Sequence, residues 1–222
     1  MPQQTALIVG ASRGLGLALA EEWLNRGWRV IATARGTSSG LDVLAARFAD
    51  ALVIESADIL DVDSVRALGT RLQDRKLDVV FVNAGIARSN DKTPVDVEEQ
   101  DFVDMMLTNA LAPVRTIELL DGLVTDKGVI AIMTSELGSI AGSTGFWPLY
   151  SSSKAALNML MKSYAAHRPD GTRALLLVAP GWVRTENGRR RGDAIGRGEH
   201  PACRRYDRCQ PRQAGPALRR PL

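Results

Sequence analysis

The sequence predicts a doubly wound α/β fold, a parallel sheet covered by helices on both faces. Two observations carry this expectation: strand-length apolar runs alternate with helix-period segments, and the first run ends in a glycine cluster that opens a helix. With 222 residues, 45% of them apolar, the chain can bury one sizeable core.

Thr5–Val9 (TALIV) is a short apolar run bounded by Gly10, the pattern of a strand buried on both faces. From Gly14 to Arg26, Leu15, Leu19 and Trp23 recur four positions apart, a helical stripe that stops at Gly27. Arg29–Thr33 reads as a second buried strand. The alternation repeats with a helix around Leu41, Leu44 and Phe48, a strand over Leu52–Glu55, and a helix bearing Val62, Val65, Leu68 and Leu72. Leu77–Val82 (LDVVFV) makes a fourth strand. Asp96 followed by Glu99 has the spacing of a capping box and predicts a long helix that opens there and runs towards Leu120. Val129–Met133 and Ala174–Val178 supply two further strands, separated by a helix through Ala155 to Tyr164. Such alternation implies right-handed crossovers and hence parallel pairing.

Residues 1–187 are expected to form this single domain, with 188–222 as an irregular tail. Past Gly188 the only large aliphatic residues are Ile195, Leu218 and Leu222, too few for an element that buries itself, so the last strand of a full sheet is expected to be missing. Every basic residue in the tail is Arg, the bias that a GC-rich gene read out of frame produces. A frameshift is therefore the expectation, with a genuine disordered tail as the alternative.

Charge follows the same division. The tail holds 10 Arg against 3 acidic residues, a net of +7, and leaves 18 basic against 22 acidic residues upstream, a net of −4, within an overall +3. That balance speaks against a nucleic-acid partner. No apolar run approaches bilayer length, and an apolar strand follows Met1 without a basic leader, so no membrane association and a cytoplasmic location are expected. Cys203 and Cys209 with His200 lack zinc-finger spacing; neither a disulfide framework nor a metal site is expected. His167, beside Arg168 and Pro169 at a helix end, reads as structural.

In a doubly wound sheet, ligands sit beyond the carboxyl ends of the strands, where the first strand-to-helix turn offers unpaired backbone N–H groups. Here that turn is Gly10-Ala-Ser12-Arg13-Gly14-Leu15-Gly16. Gly10 permits a tight turn, Gly14 lets the backbone approach a pyrophosphate, and Gly16 lets the helix pack closely on the sheet. The spacing G-x-x-x-G-x-G resembles the glycine motif of the short-chain dehydrogenase/reductase family, and the likeness extends from residue 5 to about 187. It implies a Rossmann-like three-layer sandwich that binds a nicotinamide cofactor. At the end of the second strand stands Ala34-Arg35-Gly36, without the carboxylate that would repel a 2′-phosphate; Arg35, aided by Arg13, favours NADPH over NADH.

The same resemblance implies further positions. Asp58 and Ile59 after the third strand would contact the adenine, and Asn83-Ala84-Gly85 would stabilise the sheet and border the ribose. Pro180, Gly181, Val183 and Thr185 match P-G-x-V-x-T, with the last two near the nicotinamide carboxamide.

Tyr150-Ser-Ser-Ser-Lys154 starts a helix and places phenol and ammonium on one face. A phenol titrates near pH 10 in water, and a nearby Lys cation together with the nicotinamide charge favours the phenolate, so Tyr150 can act as acid or base. Ser135 follows a strand at its carboxyl edge and by resemblance is the active-site serine; Ser139 and Ser143 are nearby alternatives, and a serine there can also be a turn former. Asn109 is the fourth member by resemblance. Pro113 has no N–H to donate to the carbonyl of residue 109, which leaves that oxygen free to hold a water near Lys154. Phe146 and Trp147 are candidates for a substrate wall, or plain packing.

The sequence thus predicts an NADP(H)-dependent oxidoreductase acting on a small-molecule carbonyl or alcohol, as a homodimer through the long helices. A nucleotide-binding sensor with the same fold, or a reductase damaged at its C-terminus, are the competing readings.

Overall fold

A computed structural model describes residues 3–181. The expectations for Val183, Thr185, His200, Cys203, Cys209 and the 188–222 tail lie outside the described residues.

The described chain alternates β1 (Thr5–Val9), α1 (Gly14–Asn25), β2 (Arg29–Ala34), α2 (Ser39–Arg47), β3 (Leu52–Ser56), α3 (Val62–Arg71) and β4 (Leu77–Val82). It continues through α4 (Glu99–Met106), a π-helical turn (Leu107–Leu111), α5 (Ala112–Leu120), β5 (Val124–Met133), α6 (Pro148–Ala166) and β6 (Ala174–Val178). The six strands pair in parallel in the order β3-β2-β1-β4-β5-β6. The order reverses between β1 and β4, which opens a crevice at their carboxyl ends.

Strand alternation sorts the core onto two faces. Leu7 and Val9 of β1 join Val80 and Val82 of β4 and Ile130 and Ile132 of β5 beneath α3, α5 and α6. On the other face Ile8, Val30 and Ala32 pack under Ala20 and Leu24 of α1 and Leu41 and Leu44 of α2. There Trp23 stacks on Trp28 at 5.7 Å and meets Phe81 edge-on at 6.2 Å, covering the β4 side.

Two expectations are corrected. Asp96 does not cap a helix: its carboxylate accepts from Thr93 Oγ1 at 2.5 Å inside a turn, and α4 starts at Glu99 after an extended Glu98 without a side-chain cap. Nor is the segment to Leu120 one α-helix. Ala112 N–H donates to Leu107 O, five residues back, so a wide turn precedes Pro113, where the regular ladder would lack a donor. α6 and β5 both start earlier than expected. Pro148 stands in the first turn of α6, where its missing N–H costs nothing.

Candidate functional site

Gly10 leaves β1 at φ +88, and a Cβ there would lie 2.8 Å from Ala84 at the end of β4, so the two strand ends can approach only with glycine. Gly16 is tighter still. A Cβ would meet Gly10 O at 2.2 Å and Asn83 Nδ2 at 2.6 Å. Asn83 Nδ2 donates to Gly10 O at 2.7 Å, while the Asn83 N–H and Ala84 N–H donate to Val9 O. The turn is held from β2 as well, since Thr33 Oγ1 accepts from Gly10 N–H at 3.0 Å and Thr33 O from Ala11 N–H at 2.8 Å. α1 has no side-chain cap and no acidic residue in its first turn, so the N–H groups and positive dipole end at Gly14–Gly16 suit an anion.

A cavity of about 510 Å³ runs from this turn along the carboxyl edge of the sheet to the start of α6. Ser12, Arg13, Gly14, Leu15, Arg35, Asp58 and Ile59 line one end together with Gly10. Asn83, Ala84 and Gly85 line the middle, and Ser135, Tyr150, Lys154, Pro180 and Gly181 the rest. Two expected site residues do not line it. Gly16 stands behind the turn as a packing position, and Asn109 is fully buried.

Asn109, from the π turn, brackets the backbone of Ile86: its Oδ1 accepts from Ile86 N–H at 2.8 Å and its Nδ2 donates to Ile86 O at 2.8 Å. Nδ2 also donates to Ser153 Oγ at 3.0 Å, and Ser153 Oγ donates to Tyr150 O at 2.7 Å. The side chain therefore ties the loop after β4 to the first turn of α6.

Lys154 is buried and donates to Met133 O at 2.9 Å, with its ammonium 5.8 Å from the centre of the Tyr150 ring. Burial lowers its pKa to about 8. Burial raises the Tyr150 phenol above its usual value, and a hydrogen bond with the Ser135 side chain offsets only part of this. Ser139 and Ser143 do not line the cavity. The Ser139 hydroxyl accepts from Gly142 N–H and that of Ser143 from Gly145 N–H, the turn-forming role. His167 closes α6, its Nδ1 2.8 Å from Ser163 O, in the structural role expected of it.

One residue that sequence reasoning missed is Asn158, a turn beyond Lys154 on α6. Its Oδ1 accepts from Thr134 Oγ1 at 2.7 Å and its Nδ2 donates to Gly138 O at 3.2 Å, so it pins both ends of the segment that carries Ser135. The other is the conformation of Trp147, which sits before α6 in the left-handed region (φ 46, ψ 61), a cost of roughly 1–2 kcal/mol for a residue with a Cβ. Its indole lines the cavity, stacks on Phe146 at 5.0 Å and meets the Tyr150 ring edge-on at 5.9 Å.

Comparison with known proteins fits this geometry. Residues 4–195 match the family model for short chain dehydrogenases. A Burkholderia multivorans protein, provisionally assigned to the short-chain dehydrogenases/reductases and solved with bound NADP, is 49% identical over 84% of this chain and 83% of that chain, with a TM-score of 0.82. A carbonyl reductase from Pseudomonas aeruginosa PAO1 in complex with NADP is 40% identical over 82% of this chain and 84% of that one, with a TM-score of 0.78. The 1-hydroxy-2-glutathionyl-2-methyl-3-butene dehydrogenase of Rhodococcus sp. strain AD45 is 32% identical over 186 residues, 82% of this chain and 79% of that protein. The chain belongs to the short-chain dehydrogenase family, a family of oxidoreductases.

Proposed function

Proceeding from that membership, we propose that the chain is an NADPH-dependent reductase of carbonyl compounds, with Tyr150 as proton donor. The observation that carries the reading is one cavity with a glycine turn and two arginines at one end and Ser135, Tyr150 and Lys154 at the other. The bound NADP of the Burkholderia and Pseudomonas proteins supports the choice of cofactor.

The residues present fit that group. The Gly10–Gly16 turn leaves no room for a side chain at Gly10 or Gly16 and presents the helix N-terminus to a pyrophosphate. Arg13 and Arg35 line the cavity where a 2′-phosphate would need charge-assisted donors. Asp58 and Ile59 would hold the adenine, Asn83 to Gly85 the ribose, and Pro180 and Gly181 the nicotinamide side, joined by Val183 and Thr185 beyond the described residues. When bound, NADPH supplies a hydride to the carbonyl carbon.

The chain's own residues handle the proton. Ser135 holds the carbonyl oxygen through its hydroxyl. Tyr150, kept protonated by burial, gives its phenolic proton to that oxygen as the alcohol forms. The Lys154 cation beside the ring stabilises the phenolate left behind, and Asn109 positions Tyr150 through Ser153.

We also read the enzyme as a cytoplasmic homodimer. Val103, Leu107 and Leu111 form an exposed stripe along α4 and the π turn, with Met159 and Leu160 exposed on α6, an apolar face suited to a second copy. No helix among the described residues is long and apolar enough to cross a membrane.

Titration of the cofactor's fluorescence followed by its oxidation with a panel of aldehydes and ketones tests the reading. Tyr150→Phe is expected to retain NADPH binding and lose turnover by about a thousandfold. Binding without turnover in the unaltered chain would favour a sensor, and loss of binding would refute the assignment of the glycine turn.

A further inference from the structure

The glycine turn is laced to the segment that carries Arg35. Gly10 N–H donates to Thr33 Oγ1 at 3.0 Å, and Ala11 N–H donates to Thr33 O at 2.8 Å. Ser12 comes next, and its carbonyl accepts from Ser38 Oγ at 2.7 Å. Successive residues of the turn are thus bonded to positions 33 and 38, and Arg35 lies between those two positions. Arg13 follows Ser12 directly. Both arginines line the same end of the cavity.

Ser38 holds two elements at once. It is the N-cap of α2, its hydroxyl accepting from Leu41 N–H at 3.3 Å while donating to Ser12 O. The side chain is buried and does not line the cavity, so it acts on a ligand only through what it holds. What it holds is the peptide unit between Ser12 and Arg13. That unit is trans and planar, so fixing its carbonyl also fixes the Arg13 N–H and Cα, from which the guanidinium extends. Beside this bond, Gly40 of α2 rests on Leu17 of α1, where an added Cβ would lie 2.3 Å from Leu17 Cδ2.

We propose that Ser38 is a positioning residue for recognition of the cofactor's 2′-phosphate: its hydroxyl sets the spacing of Arg13 and Arg35, so that both guanidinium groups reach one phosphate. This inference rests on the NADPH reading and adds to it a residue outside the cavity. A phosphate held by one arginine instead of two loses a charge-assisted contact. Asp58 lines the same end, and its like charge weighs more once a cation is displaced.

Calorimetric titration of the full chain with 2′,5′-ADP and with 5′-AMP, which differ only in the 2′-phosphate, tests this without turnover. The unaltered chain is expected to bind 2′,5′-ADP about a hundredfold more tightly at low salt. Ser38→Ala should weaken 2′,5′-ADP about tenfold and 5′-AMP by less than about twofold. Ser38→Gly should do the same, although glycine caps a helix nearly as well as serine, which separates the tether from the cap. In the Arg13→Ala background, Ser38→Ala should add less than about twofold, because the group it positions is gone. Equal weakening of the two nucleotides, full affinity in Ser38→Gly, or additive losses in the double variant would overturn the proposal. An unaltered chain that binds both nucleotides equally would refute the NADPH reading and this inference with it. A preference for 2′,5′-ADP that is indifferent to Ser38 would refute the inference alone.

Discussion

The two ends of the cavity are built by different means. The nucleotide end is made of main chain: Gly10, Gly14 and Gly16, the N–H groups of α1, and carbonyls that approach because side chains are missing. The carbonyl end is made of side chains held by other side chains: Asn109 through Ser153 to Tyr150, and Asn158 to Thr134 and Gly138. A backbone site fails when an atom is added, whereas a clamped site fails when a bond is removed. Gly16→Ala therefore has the largest expected effect in this contrast. Its Cβ would overlap the backbone oxygen of Gly10 and push the Asn83 amide off its hydrogen bond to that oxygen. NADPH affinity should fall by more than about a hundredfold and stability by about 1–3 kcal/mol, read by fluorescence titration and urea unfolding. A variant that binds normally would show that the turn tolerates a side chain.

Asn158→Leu tests the other end, removing both hydrogen bonds at nearly constant volume. The Ser135 segment would then be free to move against α6, and small misplacements of reacting groups are costly. A fall of about thirtyfold in kcat is expected, with NADPH affinity retained. A merely structural role would not move the pH profile. A positioning role does: the Ser135 hydrogen bond lowers the Tyr150 pKa, so its loss should move the pH profile of alcohol oxidation, which needs the phenolate, further upward. An unshifted profile would reduce Asn158 to packing.

This contrast also explains what could be read from the chain alone. The glycine turn was legible because close backbone approach leaves almost no alternative to glycine, and buried parallel strands carry a composition that survives without context. Tyr150 and Lys154 were legible because their spacing puts them on one helix face. Asn158 was not, since an amide one turn further along looks like any polar helix residue until Thr134 and Gly138 come within reach. The π turn at Leu107–Leu111 and the false cap at Asp96 were illegible for a related reason: Pro113 announces a missing donor without saying where the ladder will widen, and Thr93 claims a carboxylate whose spacing suits a cap. The burial that raises the Tyr150 phenol is likewise something no spacing reports.

Arg35 lies between the two cases, a side chain at the nucleotide end whose role was legible from the absence of an acid beside it. Arg35→Ala should weaken NADPH binding about tenfold while leaving NADH binding nearly unchanged, the loss of one charge-assisted contact. Equal loss for both cofactors would assign Arg35 to the adenine ring or the fold rather than to the phosphate.

The smallest effect separates function from stability at Lys154. Its amine has a pKa of about 8 in the folded chain against 10.5 in water, so between these values the unfolded chain binds more protons and stability rises with pH. Below pH 8 both states hold the proton and the cost of burying the cation is present in full. Reduction has the opposite trend. The cation that supports the phenolate left after proton transfer is lost as pH rises through about 8, so kcat should be flat below pH 7, halve near pH 8 and decline above it. Urea unfolding of the cofactor-free chain at pH 7 and pH 9.5, compared with Lys154→Met, isolates the single group. The unaltered chain should gain about 2 kcal/mol relative to the variant on moving to the higher pH. A difference that does not change with pH would mean that the ammonium is as well solvated inside the fold as outside it, and the decline in rate would then have to come from Tyr150.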